Sequence, residues 1–295
     1  MQNSTPHLLN STSYRYKFKQ LISRLLSRFE PANSNYERRL QALEGKWLKL
    51  SHVYSQNGEV ENRIEDKIYK DFEINFRGSS ELIIKRLKAR YGALLKSIVQ
   101  EEKQQPTLLD LGCGHGEFLE LGKEVGFATI GVDQSSEAVS TCKGRGHQMI
   151  QGDLLAALKD CNSNSLDLIG FFHVIEHCSA DYTIKVFKEA WRILKSGGLF
   201  LVETPSLYSL WASSRQFYLD PSHTRPIHPD YIQFVAGSCG FKHGEVREFG
   251  KVEHPEACDF NKIILALNNA EAAKEIEKLD KWLYGPMDLS CTFKK

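Results

Sequence analysis

A chain of 295 residues, 41% hydrophobic and 25% charged, carries enough apolar side chains for a packed core, so one large domain plus an appendage is expected. A formal net charge of +1 gives no global reason to expect nucleic acid as a partner. Seven cysteines, an odd number without a C-x-x-C pair, fit core-filling thiols of a reduced intracellular protein better than a disulfide framework.

Residues 1–13 are polar and lack an apolar h-region, and no apolar run approaches bilayer length, so a cytoplasmic location is expected. From Tyr14 to Phe29 the pattern is helical: Phe18, Leu21, Ile22, Leu25, Leu26 and Phe29 recur at three- and four-residue steps. The opposite face carries Arg15, Lys17, Lys19, Arg24 and Arg28. Such a helix either packs on its own domain with a solvated basic face, or docks on anionic lipid or a membrane-bound partner. Residues 34–66 are charged and helix-prone, which places an N-terminal tail and helical region over 1–66 and the main domain over 67–295. Helices over 67–100, divided near Phe76-Arg77-Gly78-Ser79, form a lid; the second starts at Ser79 or Ser80 as N-cap.

Beyond the polar linker Gln100–Pro106, strands and helices alternate. Strands are expected at Thr107–Leu111, Ala128–Val132, His147–Gln151, Leu166–Phe172 and Leu199–Glu203, the last after a turn at Lys195-Ser196-Gly197-Gly198. Gly244–Glu248 and Asp288–Phe293 supply two more, with Lys262–Tyr284 mostly helical and ended by Gly285-Pro286. This is an α/β pattern: a mostly parallel, seven-stranded sheet with helices on both faces, plus the N-terminal helical region.

The first strand runs into Leu108-Leu109-Asp110-Leu111-Gly112-Cys113-Gly114-His115-Gly116. A glycine turn between a buried strand and a helix lets a nucleotide-like cofactor lie against bare backbone. The spacing is G-x-G-x-G rather than the dinucleotide G-x-G-x-x-G, and Asp110 precedes it, which suits a cofactor with a cationic amine and no phosphates. Asp133 closes the second strand, where it can accept from both ribose hydroxyls. Asp153 ends the third, placed for an adenine amino group with Leu154 against the ring. His173-Val174-Ile175-Glu176-His177 sits at the end of the fourth. Each acid alone reads equally as a loop residue or helix cap.

Together these segments resemble the class I S-adenosylmethionine (SAM) methyltransferases, which implies a Rossmann-like fold and SAM as cofactor. The resemblance implies cofactor contacts at Asp110, Gly112, Gly114, Gly116, Asp133, Asp153, Leu154 and His173, with Arg77 reaching in from the lid toward the cofactor carboxylate or an anionic acceptor. Phe76-Arg77-Gly78-Ser79, Phe217-Tyr218-Leu219-Asp220-Pro221-Ser222-His223 and Tyr284-Gly285-Pro286-Met287-Asp288 resemble segments of bacterial O-antigen chain-terminating methyltransferases. That implies a glycan or glycolipid-linked acceptor, as in lipopolysaccharide biosynthesis, with Tyr218, His223 and Arg225 on the acceptor side and His228 and Trp211 near it.

Methyl transfer to a hydroxyl needs alignment, a water-poor pocket and a proton acceptor. Histidine titrates near neutrality, and His177, at the end of the fourth strand, is the expected base, with Glu176 orienting it or touching the cofactor. The other reading has Glu176 and His177 capping the next helix or bracing a loop. No metal is expected; if one binds, His173, Glu176, His177 and His223 are the ligand set, by analogy with Glu-x-x-Glu-His methyltransferases that use magnesium on RNA. The remaining alternatives are a 2′-O-methyltransferase on RNA, a small-molecule methyltransferase, a non-catalytic SAM-binding subunit and an NAD-linked oxidoreductase.

Overall fold

The computed structural model describes Phe76, residues 78–252, 260–267 and 269–295; the basic helix expected over 14–29, the region 34–66 and Arg77 lie outside the described residues. Helix α1 (Ser80–Glu101) starts where the Ser79 hydroxyl accepts the Leu82 N–H, and buries Leu87, Tyr91 and Leu95 at four-residue steps. Five strands follow in parallel: β1 (Thr107–Leu111), β2 (Ala128–Asp133), β3 (Gln148–Gln151), β4 (Leu166–Phe172) and β5 (Leu194–Pro205). Then β6 (Glu245–Phe249) and β7 (Asp288–Lys294) complete a seven-stranded sheet of order β3-β2-β1-β4-β5-β7-β6, with β7 antiparallel to both neighbours.

Helices α2 (Glu117–Val125), α3 (Ser136–Gly144), α4 (Leu154–Asp160) and α5 (Ala180–Ile193) occupy the crossovers. Helices α6 (Pro229–Ser238), α7 (Phe260–Leu267) and α8 (Ala270–Tyr284) lie between β5 and β7 in sequence. The central strands are buried on both faces, as a covered parallel sheet requires. Leu109, Leu111, Ile169, Phe171, Phe200 and Val202 pack with α4, α5 and α6, while the alternate residues Leu108, Leu168 and Leu201 pack with α1 and α2. Each fully buried aromatic, such as Phe171 or Phe200, contributes about 1.5–3 kcal/mol.

Two departures from the sequence reading have local causes. Leu166 pairs with Leu194 and Leu168 with Leu199, so residues 195–198 bulge out of a longer β5 instead of forming a turn before it. The helical stretch over 262–284 is two helices, because the Asn269 side chain accepts the Glu271 and Ala272 N–H groups and starts α8 afresh. Among the described residues, no helix is long and apolar enough to cross a membrane.

Candidate active site

A cavity of about 1140 Å³ lies at the carboxyl ends of β1, β2 and β4, where the strand order reverses. Gly112, Gly114, Asp110, Asp133 and Leu154 line one side; His173, His177, Asp220, His223 and Trp211 line another.

The glycine loop is built for close approach. Gly116 has φ +82°, and a Cβ there would stand 2.7 Å from the Cys142 sulfur. Gly114 has φ +50° and nothing within 4 Å of its Cβ position, so its bare backbone faces open space. Its N–H donates to Asp133 Oδ2 at 2.9 Å, while Ser135 N–H donates to Oδ1 at 2.9 Å. These two bonds hold the Asp133 carboxylate against the loop and leave further lone pairs on both oxygens. Asp110 is buried; burial first, then the charges of Glu117 and Asp133, push its pKa up to about 8. A carboxyl kept neutral in this way is matched by a ligand that brings a cation to it. Bare backbone, a carboxylate anchored at a strand end and a buried carboxyl awaiting a positive partner fit SAM, whose ribose diol Asp133 would hold and whose ammonium Asp110 would face.

Asp153 also caps α4: its Oδ1 accepts the Ala156 N–H at 2.9 Å and its Oδ2 the Tyr182 hydroxyl at 2.6 Å. The neighbouring Leu154 lines the cavity.

The opposite wall is ionic. Arg90 bridges Glu203 and Asp288, with 2.7 Å to the latter, and the Tyr91 hydroxyl also donates to Glu203. His173 adopts φ +53°, unusual outside glycine. That backbone sets its ring 3.4 Å from both Glu176 and Glu203. Burial opposes its charge, but these carboxylates outweigh it and its pKa is pushed up to about 10. His173 is therefore an imidazolium and no base. Burial would raise Glu176, yet His173 holds it below the usual carboxylate range. Sequence reasoning passed over Arg90, Glu203, Ser222 and Asp288 as site residues.

Glu176 is 0% exposed and does not line the cavity, contrary to a direct catalytic role. Its Oε2 accepts from Thr204 Oγ1 at 3.0 Å, and its Oε1 lies between His173 at 3.4 Å and His223 at 3.9 Å. The four conditional metal ligands do not form one set: Glu176, His177 and His223 converge within 4.8 Å, whereas His173 groups with Glu203 and Asp288. Arg90 sits on both carboxylates of that second group. His177 lines the cavity, its Nδ1 3.0 Å from the Ser222 hydroxyl and its ring edge-on to His223.

On the acceptor side, Tyr218 is 67% exposed and outside the cavity, because the short helical turn Phe217–Leu219 buries Phe217 and turns its neighbour outward. Arg225 stacks 5.0 Å over Tyr231 instead of lining the cavity. His228 caps α6 through its ring and the Asp230 N–H. His223 and Trp211 do face the cavity.

A family model described as a methyltransferase domain matches residues 83–236. A SAM-dependent methyltransferase structure from Archaeoglobus fulgidus is 30% identical, with TM-score 0.65, and is matched over 77% of this chain and 99% of that one. A Mycolicibacterium smegmatis protein described as a probable S-adenosylmethionine-dependent methyltransferase is 30% identical over 136 residues, 46% of this chain. The mouse tRNA (carboxymethyluridine(34)-5-O)-methyltransferase ALKBH8 is 30% identical over 126 residues, 41% of this chain. The matched stretches span 51% and 18% of those two relatives' own lengths.

Proposed function

The chain belongs to the class I SAM-dependent methyltransferases, and from that premise we propose that it methylates a hydroxyl of a glycan or glycolipid-linked acceptor, in the manner of lipopolysaccharide capping. When bound, SAM supplies an electrophilic methyl on a sulfonium whose positive charge is lost as the methyl leaves. His177 takes the acceptor's proton as its oxygen gains the methyl. The cationic His173 and the Arg90–Glu203–Asp288 network fix the far wall. The observation that carries the reading is one cavity holding the glycine loop, Asp110 and Asp133 together with His177.

The charge balance of that wall supports a neutral hydroxyl over a phosphate. Arg90 is paired with Glu203 and Asp288, and His173 with Glu176 and Glu203, so these cations are already neutralised. Trp211 adds an aromatic side chain to the cavity lining, its ring stacked under the Arg215 guanidinium at 4.4 Å. The likeness of 217–223 and 284–288 to glycan-capping enzymes supports the acceptor class. Transfer of radiolabelled methyl across glycan, glycolipid, RNA and protein fractions tests it; label in the glycan or glycolipid fraction is expected, and its absence there contradicts it.

The tRNA-acting relative and the Glu176–His177–His223 convergence favour RNA as the second reading; chelator-sensitive label in RNA marks it. The basic residues Arg15, Lys17, Lys19, Arg24 and Arg28, interleaved with apolar ones in the sequence, support docking on the inner face of a membrane that carries the acceptor. Loss of sedimentation with anionic vesicles on deleting residues 1–30 is the expected result; unchanged sedimentation refutes it.

A further inference from the structure

We infer that Asp220 and Ser222 are positioning residues that fix the tautomer of His177, through a hydrogen-bonded line running Asp220–Ser222–His177. The inference rests on the reading of His177 as proton acceptor.

The line begins in the sequence Asp220-Pro221-Ser222-His223-Thr224. Asp220 is buried, and its Oδ1 accepts the Ser222 N–H at 2.9 Å, closing a turn around Pro221. The Ser222 hydroxyl donates to the same oxygen. A hydroxyl has one proton. Once that proton is given to a carboxylate, Ser222 Oγ can only accept from His177 Nδ1, 3.0 Å away. Nδ1 therefore carries the hydrogen, and the lone pair sits on Nε2, the state a base needs. Asp220 Oδ1 thus takes both donors of Ser222, its N–H and its hydroxyl, while its Oδ2 stands 3.8 Å from His223 Nε2.

The geometry is pinned from two further sides. Thr224 donates through its N–H and its hydroxyl to the Glu176 carbonyl, at 2.9 and 2.7 Å, which staples the loop to the chain one residue before His177. His223 Nδ1 lies 2.6 Å from the Phe217 carbonyl and so donates to it, and its ring stands edge-on to His177 with centroids 4.7 Å apart. When His177 accepts the hydroxyl proton, the imidazolium faces Asp220 through Ser222. Asp220 itself keeps its charge and takes no proton.

The test uses full-length protein labelled with 15N-histidine, with the His177 ring signals identified by their loss in His177→Gln. Long-range proton–nitrogen correlation spectra are expected to show protonated Nδ1 and unprotonated Nε2 in the neutral ring. Ser222→Ala should collapse this into a tautomer mixture, Ser222→Thr should restore it, and Asp220→Asn should move population toward Nε2–H. SAM calorimetry on each variant checks that the cofactor side is intact. An Nε2–H ring in the wild type, or an unchanged Nδ1–H ring in Ser222→Ala, overturns the inference. Failure of the underlying reading looks different: His177→Gln would then transfer label to the glycan fraction at the wild-type rate, whatever the tautomer.

Discussion

Replacing Asp110 by asparagine separates the cost of a buried carboxyl from its use. In the ligand-free fold this group is pushed up to about 8, whereas in the unfolded chain it ionises near ~4. The folded state therefore holds a proton that the unfolded state has already released between these values. The associated stability is fully present below about pH 4 and is lost as pH rises to about 8. The rise corresponds to roughly 5 kcal/mol as a ceiling, and relaxation and water entry reduce it to about 2–3. Asp110→Asn has nearly the same shape and no charge. It should match the wild type in denaturant melts near pH 4.5 and exceed it by about 2–3 kcal/mol at pH 8.

Binding should move the other way. A cationic amine on the carboxylate draws the proton off, so SAM binding to the wild type should release up to about one proton at pH 6–7. Calorimetry in two buffers of different ionisation enthalpy reads this directly. Asp110→Asn should release none and bind SAM roughly 10–100-fold more weakly, the worth of a hydrogen bond to a charged group at about 1.5–3 kcal/mol. Equal pH dependence of stability in the two proteins, or undiminished SAM affinity in the variant, refutes the assignment.

Asp133→Ala removes the carboxylate that holds Gly114 N–H and Ser135 N–H; SAM affinity by calorimetry should fall at least about 10-fold. Gly116→Ala forces a side chain onto φ +82° and against the Cys142 sulfur, and the denaturant midpoint should report a loss of about 1–3 kcal/mol. His177→Gln should cut methyl transfer by roughly 10²–10⁴ while leaving the SAM dissociation constant within a few-fold, the signature of a lost general base. His173, held charged up to about pH 10, contributes stability that is full below its unfolded value near ~6.5 and is lost as pH rises through about 10. A His173→Asn melt series over that range should be flatter than the wild type's.

Features encoded by local spacing were legible in the sequence. The run from Leu108 to Gly116 announces strand, turn and helix through its own periodicity, and Asp110, Gly114 and Asp133 line the cavity at that turn and at the end of the next strand. Asp153 has a second task that the spacing does not display: it satisfies the orphan N–H groups of α4, while Leu154 beside it lines the cavity. The acceptor side was legible only as a segment. Which residues of 217–225 turn inward depends on the staple between Thr224 and Glu176, a contact across 48 residues, so Tyr218 and Arg225 point elsewhere while Asp220 and Ser222 engage His177. Arg90 carries no motif at all. Its partners Glu203 and Asp288 lie 113 and 198 residues away, and only the sheet brings them to α1.

The central claim is methyl transfer from SAM to a glycan hydroxyl with His177 as base. Its most direct measurement is radiolabelled methyl transfer to glycan and glycolipid fractions by wild type and His177→Gln, followed by alkaline treatment of the product. An ether methyl survives alkali, whereas a methyl ester of a carboxylate does not. The expected result is alkali-stable label in the wild-type glycan product, lost in His177→Gln. Alkali-labile label, label confined to RNA or protein, or equal labelling by both proteins would contradict it.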